Sequence, residues 1–107
     1  MKQILLTPYP GRLFLTRDLD EFRRFYKKRC GFAWAGTGDC FGTTVTLEQH
    51  GHAPDYLVYS RAAPSTLAHE LGHTVLNVFK NVGIDPRDGS GEAFCYTLSH
   101  LMEEAKK

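Results

Sequence analysis

The sequence predicts an α+β domain with a small, mostly antiparallel sheet packed against helices. Three observations carry this. Short runs rich in β-branched and aromatic residues occur in two pairs, each bounded by turn residues. A helical apolar period recurs in three segments. Two of those segments follow one another after the last strand-like run. The order is two strands, a helix, two strands and two helices, within a single domain of residues 1–107.

Gln3 to Thr7 and Arg12 to Thr16 are the first strand-like runs, and Pro8-Tyr9-Pro10-Gly11 between them reads as the turn of a β-hairpin. Thr16 or Asp18 then caps a helix running to about Arg29. Asp20 and Glu21 lie in its first turn, where the helix dipole favours acids, and Gly31 lies just past its end. Leu19, Phe22, Tyr26 and Cys30 form its apolar side. Phe32 to Phe41, with Gly36, Gly38 and Asp39, reads as a loop.

Gly42 to Leu47 and Asp55 to Ser60 alternate as strands do. Glu48 to Pro54 is a polar connection, so antiparallel pairing across it is expected. Thr66 to Lys80 carries an apolar stripe of Leu67, Leu71, Val75, Val78 and Phe79. Pro64 stands in first-turn position, Gly83 in capping position and Pro86 beyond it. After a turn over Asn81 to Gly91, a last helix runs from about Ser90 to Glu104 on Ala93, Phe94, Leu98, Leu101 and Met102. The tail Glu103 to Lys107 is expected to fray.

Composition narrows the class of function. A hydrophobic fraction of 42%, a charged fraction of 23% and a net charge of +1 demand no polyanionic partner. Arg23, Arg24, Lys27 and Lys28, followed by Arg29, read as the solvated face of an amphipathic helix. No nucleic-acid-binding motif accompanies them, and none is expected to bind. No stretch approaches the ~20 apolar residues of a membrane span, and Pro8 and Pro10 interrupt the first apolar run before a signal-peptide core forms. Cys30, Cys40 and Cys95 are odd in number with no C-x-x-C pair, which argues against a disulfide framework. The expected location is the cytoplasm.

The chemistry concentrates at Ala68-His69-Glu70-Leu71-Gly72-His73, which matches H-E-x-x-H. On a helix, His69 and His73 stand one turn apart on one face, so both imidazoles reach one ion. Glu70 lies about 100° round from His69, off the metal but within reach of a water bound to it. Such a zinc takes three protein ligands and keeps a fourth position for water. Glu92, in the first turn of the last helix, is the leading third ligand, because that helix can fold back antiparallel. His100, Asp85 and Asp88 are rivals, and Cys30, Cys40, His50 and His52 could be drawn as a separate four-ligand set.

His69-Glu70-Leu71-Gly72-His73 followed by Gly91-Glu92-Ala93-Phe94-Cys95-Tyr96 resembles the gluzincin branch of the zincin metallopeptidases. The small size, with a short sheet before the motif helix and a glutamate helix after it, is similar to the ImmA/IrrE-like proteases and small phage-borne zincin-like proteins. The resemblance covers about residues 42 to 104, and only the motif and Glu92 are specific. It implies a zincin-like fold and one Zn²⁺ per chain on His69, His73 and Glu92. It also implies an edge strand, here Asp55 to Ser60, to which an extended peptide or protein substrate adds. Larger gluzincins carry an acid four residues after the ligand glutamate, where this chain has Tyr96. Tyr96, His52, Tyr56 and Tyr59 are unranked candidates for stabilising the transition state.

The expected activity is that of a small zinc-dependent metallopeptidase with Glu70 as general base. The alternative is a catalytically silent zincin-fold protein that binds or regulates a protein partner, because 107 residues leave little material to wall a cleft. Substrate, physiological metal and oligomeric state stay open.

Overall fold

The computed structural model describes residues 1–36, 41–61 and 63–107. The loop expected at Gly38 and Asp39 lies outside them, as does Cys40 of the alternative cysteine–histidine set. Four strands form one sheet: β1 (Lys2–Leu5), β2 (Arg12–Thr16), β3 (Gly42–Gln49) and β4 (His52–Ser60). Three helices cover it: α1 (Leu19–Cys30), α2 (Pro64–Val82) and α3 (Glu92–Lys106), the last preceded by a 3₁₀ turn over Asp88–Gly91. The class is α+β with a mixed sheet. None of the helices among the described residues is long and apolar enough to cross a membrane.

The caps form as their residue types require. Asp18 accepts from the amides of Asp20 and Glu21 at the start of α1. Gly31 and Gly83 end α1 and α2 in the left-handed region, their amides bonded to the carbonyls of Lys27 and Phe79.

The sheet order is β1-β2-β4-β3. β1 and β2 pair antiparallel, as do β3 and β4, but β2 and β4 run parallel at the centre, with Leu13 opposite Tyr56 and Leu15 opposite Val58. Two of the three pairings are antiparallel, as expected of a mostly antiparallel sheet, and the parallel pairing of β2 with β4 makes the sheet mixed. Asp55 to Ser60 is not an edge. β4 is bonded on both sides, and all six of these residues are buried. Its two apolar faces have separate destinations, as a strand covered on both faces requires. Tyr56 and Val58 meet Leu71, Val75 and Phe79, whereas Leu57 and Tyr59 meet Phe14 and Phe22. The sheet is therefore sandwiched, with α1 on one face and α2 and α3 on the other.

β3 and β4 reach further than the alternation indicated and close through a tight turn at His50 and Gly51, with Gln49 opposite His52. Pro54 hid the start of β4, since proline cannot donate to a ladder. The end of α3 does not fray either: Ala105 is buried, and Lys2 Nζ donates to the carbonyls of Glu104 and Ala105 at 3.0 and 3.2 Å. An ammonium at a helix C-terminus satisfies orphan carbonyls and opposes the dipole.

Asp55 ties α1 to the sheet centre. Its carboxylate accepts from the Arg12 amide at 3.0 Å, from Arg12 Nη2 at 2.8 Å and from Arg29 Nη2 at 3.0 Å. Both guanidiniums lie over the Phe14 ring. Arg29 thus leaves the outer basic face of α1. Burial pushes the Asp55 carboxyl up, but the hydrogen bonds from Arg12 and Arg29 outweigh it and hold it below the usual range. A carboxyl depressed on folding contributes stability at pH values above its unfolded value of about 3.9, and this is lost as pH falls through the folded value. Asp55→Asn is expected to cost about 1–3 kcal/mol at neutral pH, less than a fully buried pair because Arg12 is 44% exposed. Urea unfolding at several pH values should show the gap between native chain and variant closing below about pH 4.

Candidate metal centre

The motif lies wholly within α2. Proline occupies the first turn of this helix, and Leu71, Thr74, Val75, Val78 and Phe79 face the sheet. At about 100° per residue, His69 and His73 emerge on the side away from that core, where both are exposed. Their Nε2 atoms are 3.1 Å apart and their rings nearly perpendicular, at 82°. Two imidazoles sharing a tetrahedral zinc at bonds of 2.0–2.1 Å hold their nitrogens about 3.3 Å apart. The 3.1 Å separation is that of a hydrogen bond between the two rings, and it is also close to the spacing of two nitrogens on one such ion.

Glu70 turns toward β3 instead. It is 7% exposed, and its Oε1 accepts from Thr44 Oγ1 at 2.7 Å. Its backbone carbonyl accepts from Thr74 Oγ1 at 3.1 Å. The glycine at position 42 is required by close approach: a Cβ there would lie 2.8 Å from Glu70 Cγ and 3.0 Å from Thr66 Cγ2. Phe41, Gly42, Ser65, Thr66, His69 and Glu70 line an open cleft of about 430 Å³. At its rim the Arg61 guanidinium lies 5.4 Å from the Phe41 ring centre. His69 and the motif carboxylate thus share one wall beside the edge strand.

Glu92 is not brought to the pair. It is exposed at the first position of α3, nine residues before the buried Leu101, and so about half a turn of the helix away from the core side. Phe94 meets Phe79 with ring centres 6.5 Å apart. That end of α3 therefore lies beside a stretch of α2 six residues past His73, about 9 Å further along the axis. The fold-back expected of α3 occurs, but its register and rotation leave Glu92 in solvent. Rotating Glu92 inward would expose Leu101 and Ala105.

The rivals lie elsewhere. His100 and Tyr96 line a groove with Thr7, Pro8 and Tyr9. Asp85 is engaged by Arg87 at 3.0 Å, and Asp88 opens the 3₁₀ turn. Among the described residues no three His, Cys, Asp or Glu side chains gather where they could hold an ion. Cys30 and Cys95 are free thiols.

None of the four candidates for transition-state stabilisation, His52, Tyr56, Tyr59 and Tyr96, lines the cleft of His69 and Glu70. Tyr56 is buried, with its hydroxyl accepting from Asn81 Nδ2 at 2.8 Å. Tyr59 packs on the opposite sheet face near Phe22. His52 lines a cavity with Arg12 and Asp55, and Tyr96 is 72% exposed on α3. What reading the sequence missed is the contribution of β3. Gly42 and Thr44 stand on one face of that strand by the period of two, and a small residue followed two places on by a hydroxyl beside the motif was the available signal.

Comparison of the chain with family models, curated proteins and solved structures finds no match.

Proposed function

We propose that the chain is a small metal-dependent peptidase of the minimal zincin type, with His69 and His73 as zinc ligands and Glu70 as the general base. The observation that carries this is the 3.1 Å approach of the two Nε2 atoms on the turn of helix that also sends Glu70 into the adjoining cleft. Zinc, when bound, supplies an acidified water and a Lewis acid for a carbonyl. Glu70 accepts the proton of the attacking water and passes it to the leaving amine. The outer edge of β3 is the edge beside the motif, and it offers backbone donors and acceptors to an extended peptide, the role first assigned to Asp55–Ser60. Glu92 is not part of the ligand set in this reading, so the ion would have two protein ligands rather than the three expected from the sequence, with the other positions left to water or substrate.

The outward position of Glu92 favours a second reading, a silent binding protein that keeps the histidine pair and lays a peptide along β3 without cutting it. Incubation with zinc and a degenerate peptide library, read by mass spectrometry, separates the two. Zinc-dependent cleavage stopped by a chelator is the expected result. Peptide retention without new termini would transfer the conclusion to the binding protein.

A further inference from the structure

We propose that Thr44 is a positioning residue for Glu70, and that Gly42 and Thr44 together decide which carboxylate oxygen faces the cleft. This rests on the reading of Glu70 as the proton acceptor.

β3 sends alternate side chains to opposite faces. Val45 and Leu47 go toward α1, so Gly42, Thr44 and Thr46 lie on the face covered by α2. Pairing of Thr44 with Val58 sets its height along the sheet. Its Oγ1 lies 2.7 Å from Glu70 Oε1 and 3.1 Å from the Glu70 carbonyl oxygen. A hydroxyl has one proton to donate. The carbonyl is already met by the Thr74 hydroxyl, and the carboxylate is the nearer and charged acceptor, so the proton goes to Oε1.

Oε2 has no donor among the described residues, and no buried side-chain oxygen there lacks a partner. Glu70 lines the cleft together with His69, and with Oε1 held by Thr44 it is Oε2 that is left for the cleft. A Cβ at position 42 would lie 3.1 Å from Oε2, so a side chain there would close this approach. Glutamate otherwise has several rotamers, and a base that must find its orientation on each turnover loses rate. The hydroxyl removes that search by fixing one oxygen and freeing the other.

The test compares Thr44→Val, which keeps the shape and β-propensity but loses the donor, with Thr44→Ser, which keeps the donor. In metal-free protein, the Glu70 carboxyl carbon, assigned through Glu70→Gln, and the Glu70 side-chain couplings are read by NMR. One rotamer is expected in the native chain and in Thr44→Ser, with averaging and a moved carboxyl resonance in Thr44→Val. With zinc and a cleaved peptide, kcat in Thr44→Val is expected to fall about tenfold with KM within about twofold, and serine should recover most of the loss. Native couplings and an unmoved carboxyl carbon in a folded Thr44→Val overturn the proposal. If Thr44→Val frees the side chain but the native chain cuts no peptide, the positioning stands and the proton-acceptor reading fails.

Discussion

Glutamine in place of Glu70 is expected to lower zinc-dependent peptide cleavage by about 10²- to 10⁴-fold, the span that a positioned general base contributes. The amide oxygen still accepts from Thr44, so the contact of α2 with β3 persists and the unfolding midpoint should move little. What is lost is a basic oxygen in the cleft. Zinc affinity should be unchanged, because His69 and His73 are untouched. Initial rates on a cleaved library peptide, with zinc titrations on the same samples, check both halves. A variant that cuts at the native rate removes Glu70 from the chemistry.

Phe79→Ala is expected to destabilise the chain by about 3–5 kcal/mol, a large part of the roughly 5–15 kcal/mol that holds a domain of this size together. Phe79 is fully buried where three parts of the fold meet. Its ring meets Tyr9 of the β1–β2 turn edge-on at 5.4 Å and Phe94 of α3 at 6.5 Å. Truncation leaves a cavity that neither ring can fill without moving its own element. Leu76, on the same helix but 43% exposed, serves as the control, and Leu76→Ala should stay within about 0.5 kcal/mol of native. The same contact sets where α3 begins relative to His73. A loss below about 1 kcal/mol on urea unfolding of Phe79→Ala would mean that α3 is not seated as described, and the position of Glu92 would fall with it.

Local signals in the chain were readable and long-range ones were not. Asp18 and Gly31 delimit α1 because capping is decided within a turn of the helix end. The stripe from Leu67 to Phe79 and the two histidines opposite it follow from the 3.6-residue period alone. Pairing order depends on contacts across the sheet. The resemblance makes Asp55–Ser60 an edge, whereas Tyr56 and Val58 on one face and Leu57 and Tyr59 on the other demand two apolar surroundings. Glu92 depended on a rotation. The fold-back of α3 is topological and came out right, but which side chain it turns inward is decided by Phe94, Leu98, Leu101 and Ala105 packing on the core, and these send Glu92 outward. Thr44 is not legible in the sequence because a threonine in a strand is explained by β-propensity alone, and only the arrival of α2 over β3 gives its hydroxyl an acceptor.

The central claim, that His69 and His73 form a metal-binding pair, is tested most directly by calorimetric titration of zinc into the metal-free native chain, His73→Ala and Glu92→Ala. The native chain is expected to take up about one zinc, His73→Ala to lose that binding, and Glu92→Ala to bind as the native chain does. A native chain that takes up no zinc, or a His73→Ala that binds it as tightly, would contradict the account and leave α2 as scaffold.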